Sequence, residues 1–340
     1  MSRLFSRALA LTSFLGLVLM ILPCTAAAQY KLVNLVSNQK GAAPLTDPLL
    51  VNAWGLARSS GGPFWISDNG SGWSTLYTGA GAKEGFEIIV PAAGGGPGSP
   101  TGIVYNGSQD FPVQGWASIF LFATLDGTIS GWSPISNPNS AIIAVTASGA
   151  VYTGLAVTNY TSGNFLFAAD AANNKVDVYD ANFNKVKSFT DTTLPAGFAP
   201  FGIQDFGGLL YIAFASSSGA SGGYIDIYSE DGVLLKQLAQ GAPLNQPWGL
   251  AIAPRNFGPL SNALLVSNNT NSGAINAFNS VTGQFVGTIK DTNNAVIRID
   301  QLWGIEFGGG TPNNGPANAL FFTAGPDNNH AGTFGKIVPE

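Results

Sequence analysis

Trp54-Gly55-Leu56 is the first of six copies of one short pattern, an x-Gly-Leu/Ile step inside an apolar strand. The others are Thr101-Gly102-Ile103, Thr153-Gly154-Leu155, Phe201-Gly202-Ile203, Trp248-Gly249-Leu250 and Trp303-Gly304-Ile305. Successive glycines lie 47, 52, 48, 47 and 55 residues apart. Further short segments follow each copy, alternating or continuously apolar between turn residues, as strands do. No stretch carries a sustained helical period. A repeat of roughly fifty residues made of strands and turns is the mark of a propeller blade. The chain is therefore expected to be all-β, a six-bladed β-propeller with four-stranded blades.

The strand count fails only at the ends. The sixth repeat offers strands near 302–307, 319–324 and 333–338, one short of a blade. Residues 30–36, Tyr-Lys-Leu-Val-Asn-Leu-Val, form a strand with no partner of their own. Pairing them as the outer strand of the last blade closes the ring and removes an exposed edge. The glycine in each inner strand has a packing reason, since backbones crowd where blades converge. The Leu or Ile after it is expected to pack between blades. The Gly/Pro-rich 92–99 and the Ser/Gly-rich 216–223 read as loops inside repeats, so residues 29–340 form one domain.

Residues 1–28 read as a signal peptide. Arg3 and Arg7 precede an apolar run over 8–22, then Pro23 and Ala26-Ala27-Ala28 supply the helix break and small cleavage residues. Cleavage after Ala28 removes Cys24, the one cysteine, and leaves 12 basic against 19 acidic residues. That balance disfavours nucleic acid, whose phosphates need lysine and arginine clusters. No membrane insertion is expected after cleavage. The expectation is an exported monomer, periplasmic or extracellular, free of disulfides.

Two resemblances follow. Residues 163–170, Gly-Asn-Phe-Leu-Phe-Ala-Ala-Asp, with 173–180, Asn-Asn-Lys-Val-Asp-Val-Tyr-Asp, resemble the NHL repeat of six-bladed propellers. More of the chain is similar to a family of uncharacterised exported bacterial propellers, some with a PEP-CTERM sorting tail. The matching stretches include 50–57, 64–70, 126–132, 194–201, 246–251, 302–305 and 321–326. The resemblance implies the fold and export, and brings no activity. This chain ends at Glu340 directly after its last strand, where tailed members continue, so release is expected.

Function is sought at one end of the central channel, where loops entering inner strands meet loops leaving second strands. Asn52 and Asp300 fall there, as do Asp68, Asn69, Asp126, Asp170, Asn268, Asn269 and Asp327. Converging oxygens suit a hard cation, and related lactonases and gluconolactonase-type enzymes hold a metal in such a place. Asp68, Asp126, Asp170, Asn268 and Asp327 are thus candidate calcium ligands. The competing reading is that Asp and Asn after a strand bond their own turn. Trp54, Phe201, Trp248 and Trp303 share one register, as a stacking arc for a ligand or as core. His330, the one histidine, is the candidate base or proton relay; its alternative is a solvated loop residue. Gly219-Ala220-Ser221-Gly222-Gly223 matches a nucleophile elbow formally but lies in a loop between strands, without the strand-to-helix turn.

The preferred expectation is a binding or interaction module that uses one channel face, with no catalysis. Its partner would be a small molecule, glycan or protein contacting Asn52, Trp54, Phe201, Trp248, Asp300 and Trp303. The alternatives are a calcium-dependent hydrolase of lactonase or gluconolactonase type, and a carbohydrate-binding protein using the tryptophan arc. Calcium is the only cofactor that the pattern suggests.

Overall fold

The computed structural model describes residues 29–158 and 163–340. The signal peptide read over 1–28 lies outside them. Six antiparallel sheets form the blades of a propeller, and among the described residues the only helical element is a 3-10 turn at Gly258–Leu260. The inner strands are Ala53–Arg58, Pro100–Tyr105, Tyr152–Val157, Phe198–Asp205, Pro247–Ile252 and Leu302–Phe307. Each contains one x-Gly-Leu/Ile copy.

The ring closes as expected. Tyr30–Ser37 pairs antiparallel with Thr333–Pro339, from Tyr30 opposite Pro339 to Ser37 opposite Thr333. Tyr30 is anchored by its hydroxyl, which donates to Phe257 O at 2.8 Å. Leu45–Thr46 then adds a short parallel strand outside it, making the last blade five-stranded. One element was not legible: a small hairpin, Pro112–Val113 with Trp116–Ala117, interrupts blade two between its inner and second strands.

The six glycines form a ring of close approaches. A Cβ on Gly249 would lie 2.6 Å from Trp303 O, and one on Gly304 would lie 3.0 Å from Trp54 O. Gly55 meets Thr101 O, Gly102 meets Leu155 N, Gly154 meets Phe201 O and Gly202 meets Trp248 O in the same way. Each blade thus presses its neighbour's inner backbone where only hydrogen fits. Hydroxyls on two second strands reinforce the seam. Ser267 accepts Gly249 N–H and donates to Trp303 O at 2.6 Å; Thr323 accepts Gly304 N–H and donates to Trp54 O.

The core is six wedges, each shared by two blades. Leu265 and Ala277 meet Ile305 and Phe322 between blades five and six, for example, and Phe167 and Val178 meet Ile203 and Ile212 between three and four. The Leu or Ile after each glycine falls in a different wedge. Burying these side chains removes apolar area from water at about 25 cal/mol per Å².

Candidate functional site: an axial channel plugged at one end

At the x-Gly step the ladder to the second strand shifts register in all six blades. Such an irregularity re-aims a side chain, and here it turns the residue before glycine towards the axis. Four of those residues are aromatic and fill the channel. Trp54 stacks on Trp303 with ring centroids 3.6 Å apart, while Phe201 and Trp248 meet that pair at 5.7–6.3 Å. Thr101 and Thr153 hold the other two positions, and Trp248 Nε1 crosses the axis to donate to Thr153 O at 2.9 Å. Four rings occupy the cross-section, so the remaining two positions must be small. Trp54 and Trp303 are 6% and 3% exposed, too little to offer a ligand their faces.

The polar residues of that end brace the plug and its loops. Trp303 Nε1 donates to Asn52 Oδ1, Asn52 Nδ2 to Asn69 Oδ1, and Asn69 Nδ2 to Pro100 O, at 3.0–3.1 Å. Asp170 accepts from Val151 N, Asn173 N and Asn173 Nδ2. Asp126 accepts from Ala93 N and the Thr124 hydroxyl, and Asn268 bridges Asn245 N and Pro243 O. Asp68 is fully buried, accepts from Thr75 N, and has one oxygen without a partner. Burial pushes its carboxyl well above the ordinary value, against the Thr75 hydrogen bonds. Asp327 is exposed in a left-handed run with Asn328 and Asn329, and its N–H donates to Asp300 Oδ2. His330 is exposed, with Nδ1 2.9 Å from Asp327 O; a carbonyl only accepts, so that nitrogen carries the proton. Among the described residues, no three His, Cys, Asp or Glu side chains are grouped to hold a metal. Asp68, Asp126, Asp170 and Asp327 therefore do not form such a group.

The open space lies at the other end. Below the plug, a void of about 30 Å³ is ringed by Leu56, Ile103, Leu155, Ile203 and Ile305. Beyond it, where the inner strands leave the axis, a basin of about 460 Å³ opens. Aliphatic residues make up just over half of its lining, yet its accessible surface is slightly more polar than apolar, with side-chain polar groups from only some blades: Arg58, Tyr105, Gln204, Asp205 and Glu306. Arg58 Nε donates to Phe307 O at 2.9 Å and lies 3.3 Å from Glu306 Oε1. Glu306 Oε2 has no partner, and burial pushes this carboxyl up to about 8 although Arg58 pulls it down. Burial likewise raises Asp205, which accepts one hydrogen bond, from Gly208 N–H at 3.0 Å.

Sequence reasoning missed the basin because it searched the entering loops. The signal sits two and three residues after each glycine. Ala57, Val104, Ala156 and Ala251 are apolar where Gln204 and Glu306 are not; one position later, Arg58 and Asp205 stand where blades three and five carry Val157 and Ile252.

The chain is 30% identical over 341 residues to an uncharacterised protein of Acanthamoeba polyphaga mimivirus, covering 94% of this chain and 82% of that one. It belongs to the family of that viral protein. A second uncharacterised mimivirus protein is 28% identical, covering 94% of this chain and 88% of its own length. These relatives are viral, whereas the motifs alone suggested a bacterial family. No protein-family model matches. Among solved structures, a gluconolactonase from Xanthomonas campestris superposes with a TM-score of 0.55 at 14% identity, covering 86% of this chain and 88% of that one. A catalytically inactive virginiamycin B lyase from Staphylococcus aureus with quinupristin gives 0.54 at 12% identity, covering 92% and 99%. At such identities the likeness shows the fold alone, and that fold carries unrelated activities.

Proposed function

We propose that this protein is an exported binding module that takes a small molecule in the axial basin at the exit end of its inner strands. One observation carries the reading: the channel is filled by its own aromatic side chains at one end and opens at the other into a cavity of about 460 Å³. That volume suits a small ligand, and aliphatic and aromatic side chains interrupted by placed polar groups are what such sites share. The rigid ring holds Arg58, Gln204, Asp205 and Glu306 in place through the wedges behind them. A hydrolase reading would need a poised proton carrier and a gathered metal set at the entering end, and no geometry there favours it.

Thermal-shift screening of a fragment library against the parent and Gln204→Trp tests the basin. Gln204 is exposed and lines the cavity, so the indole fills space without disturbing a wedge. Ligands are expected to raise the parent's Tm and to lose that effect in the variant. Hits indifferent to Gln204→Trp, yet abolished by Phe201→Ala, would place binding at the opposite end and end this reading. Export rests on the leader pattern and on the resemblance to exported propellers. N-terminal sequencing of protein recovered outside the cytoplasm is expected to start at Gln29; an intact Met1 would refute it.

A further inference from the structure

The basin combines two acids, one committed guanidinium and three aromatic rings. Arg58 is held by Phe307 O and by Glu306. Asp205 has no ion-pair partner among the described residues and keeps only the Gly208 hydrogen bond. With both acids ionised the basin therefore carries one negative charge in excess. Tyr105, Phe206 and Phe307 line it from blades two, four and six. Each ring is braced from behind: Tyr105 on Phe120 at 5.6 Å, Phe206 on Tyr211 at 5.1 Å, and Phe307 on Phe257 at 4.9 Å. Braced rings are fixed before a ligand arrives, which lowers the entropy lost on binding.

Resting on the basin as the binding site, we propose that its ligand is a small organic ammonium ion. A desolvated ammonium is attracted by aromatic faces, and here Asp205, which Arg58 does not neutralise, supplies the counter-charge beside the Arg58–Glu306 pair. Its alkyl groups would contact Ile103, Leu250, Ile252 and Ile305 along the wall. An anion would have only Arg58, already occupied, and would face Asp205 and Glu306. Burial raises both of those acids, and a bound cation offsets that cost by favouring their ionised forms.

Isothermal titration calorimetry on the full chain with benzyltrimethylammonium, benzoate and glucose at pH 8 tests this. Benzyltrimethylammonium is expected to bind, with affinity reduced at least tenfold in Asp205→Asn and in Glu306→Gln. Asp231→Asn, outside the basin wall and 89% exposed, is expected to bind as the parent does. Tighter binding of benzoate or glucose, cation binding unchanged in both carboxamide variants, or no binding of any probe overturns the proposal. Benzoate binding that disappears in Gln204→Trp would leave the basin as the site and remove only the charge assignment. Probe binding that survives Gln204→Trp would remove both.

Discussion

At the scale of single residues, the glycine of each inner strand is fixed by its neighbour's backbone rather than by an unusual dihedral. A Cβ on Gly202 would fall inside the Trp248 carbonyl, and neither strand can shift without opening a wedge. Overpacking of this kind costs about 1–3 kcal/mol. Gly202→Ala should therefore lower the urea midpoint, with the slope unchanged. Gly85, where an added Cβ would have no atom within 4 Å, is the control, and Gly85→Ala should be neutral. Equal midpoints for the two variants would refute the close-approach argument. The same step explains why four of the six preceding residues are aromatic. Trp54, Phe201, Trp248 and Trp303 fill the axis, and Thr101 and Thr153 leave them room.

At the scale of elements, the blades were legible because each repeat writes its own strands. Apolar runs such as 64–68 and 320–324 are flanked by turn residues, and their period survives substitutions at any one position. Closure was legible by subtraction, since the strand at residue 30 had no partner except the incomplete last blade. The hairpin at Pro112–Ala117 escaped because its strands are two residues each, too short for alternation to register. The site was legible only in part. Sequence located the axial register of Trp54 and its equivalents. It did not show that those side chains pack on one another, because bulge geometry sets their direction. Nor did it distinguish an Asp directed at a channel from one that closes its own turn, as Asp170 does with Asn173. The basin residues carry no motif; they stand out only when the six copies are compared beyond the glycine.

At the scale of the whole molecule, the six shared wedges and the closed ring make stability a collective property, so a carboxyl in one blade is felt by all. Asp226 is buried without a partner for either oxygen; burial, and then the neighbouring Asp191, push it up to about 8. Glu306 is raised to about 8 by burial. Between about pH 4, where unfolded acids titrate, and about 8, the folded protein thus holds protons that the unfolded chain has released. Unfolding then releases protons, and rising pH favours it, by about 1.4 kcal/mol per pH unit for each fully linked group. Asp47, Asp177 and Asp191 act in the opposite direction. Against the effect of burial, hydrogen bonds hold each below the ordinary value: from Lys83 and Tyr77, from Lys185 and Ser188, and from Thr193 and Tyr228. Their contribution is present above about pH 4 and is lost as pH falls further. The two sets place maximal stability near pH 4–5, with Tm falling from pH 5 to 8. Asp226→Asn keeps the shape and removes the ionisation, so it should flatten that decline. A Tm that is constant or rises over pH 5–8, or a decline as steep in Asp226→Asn as in the parent, would show that these buried acids are not what sets the profile.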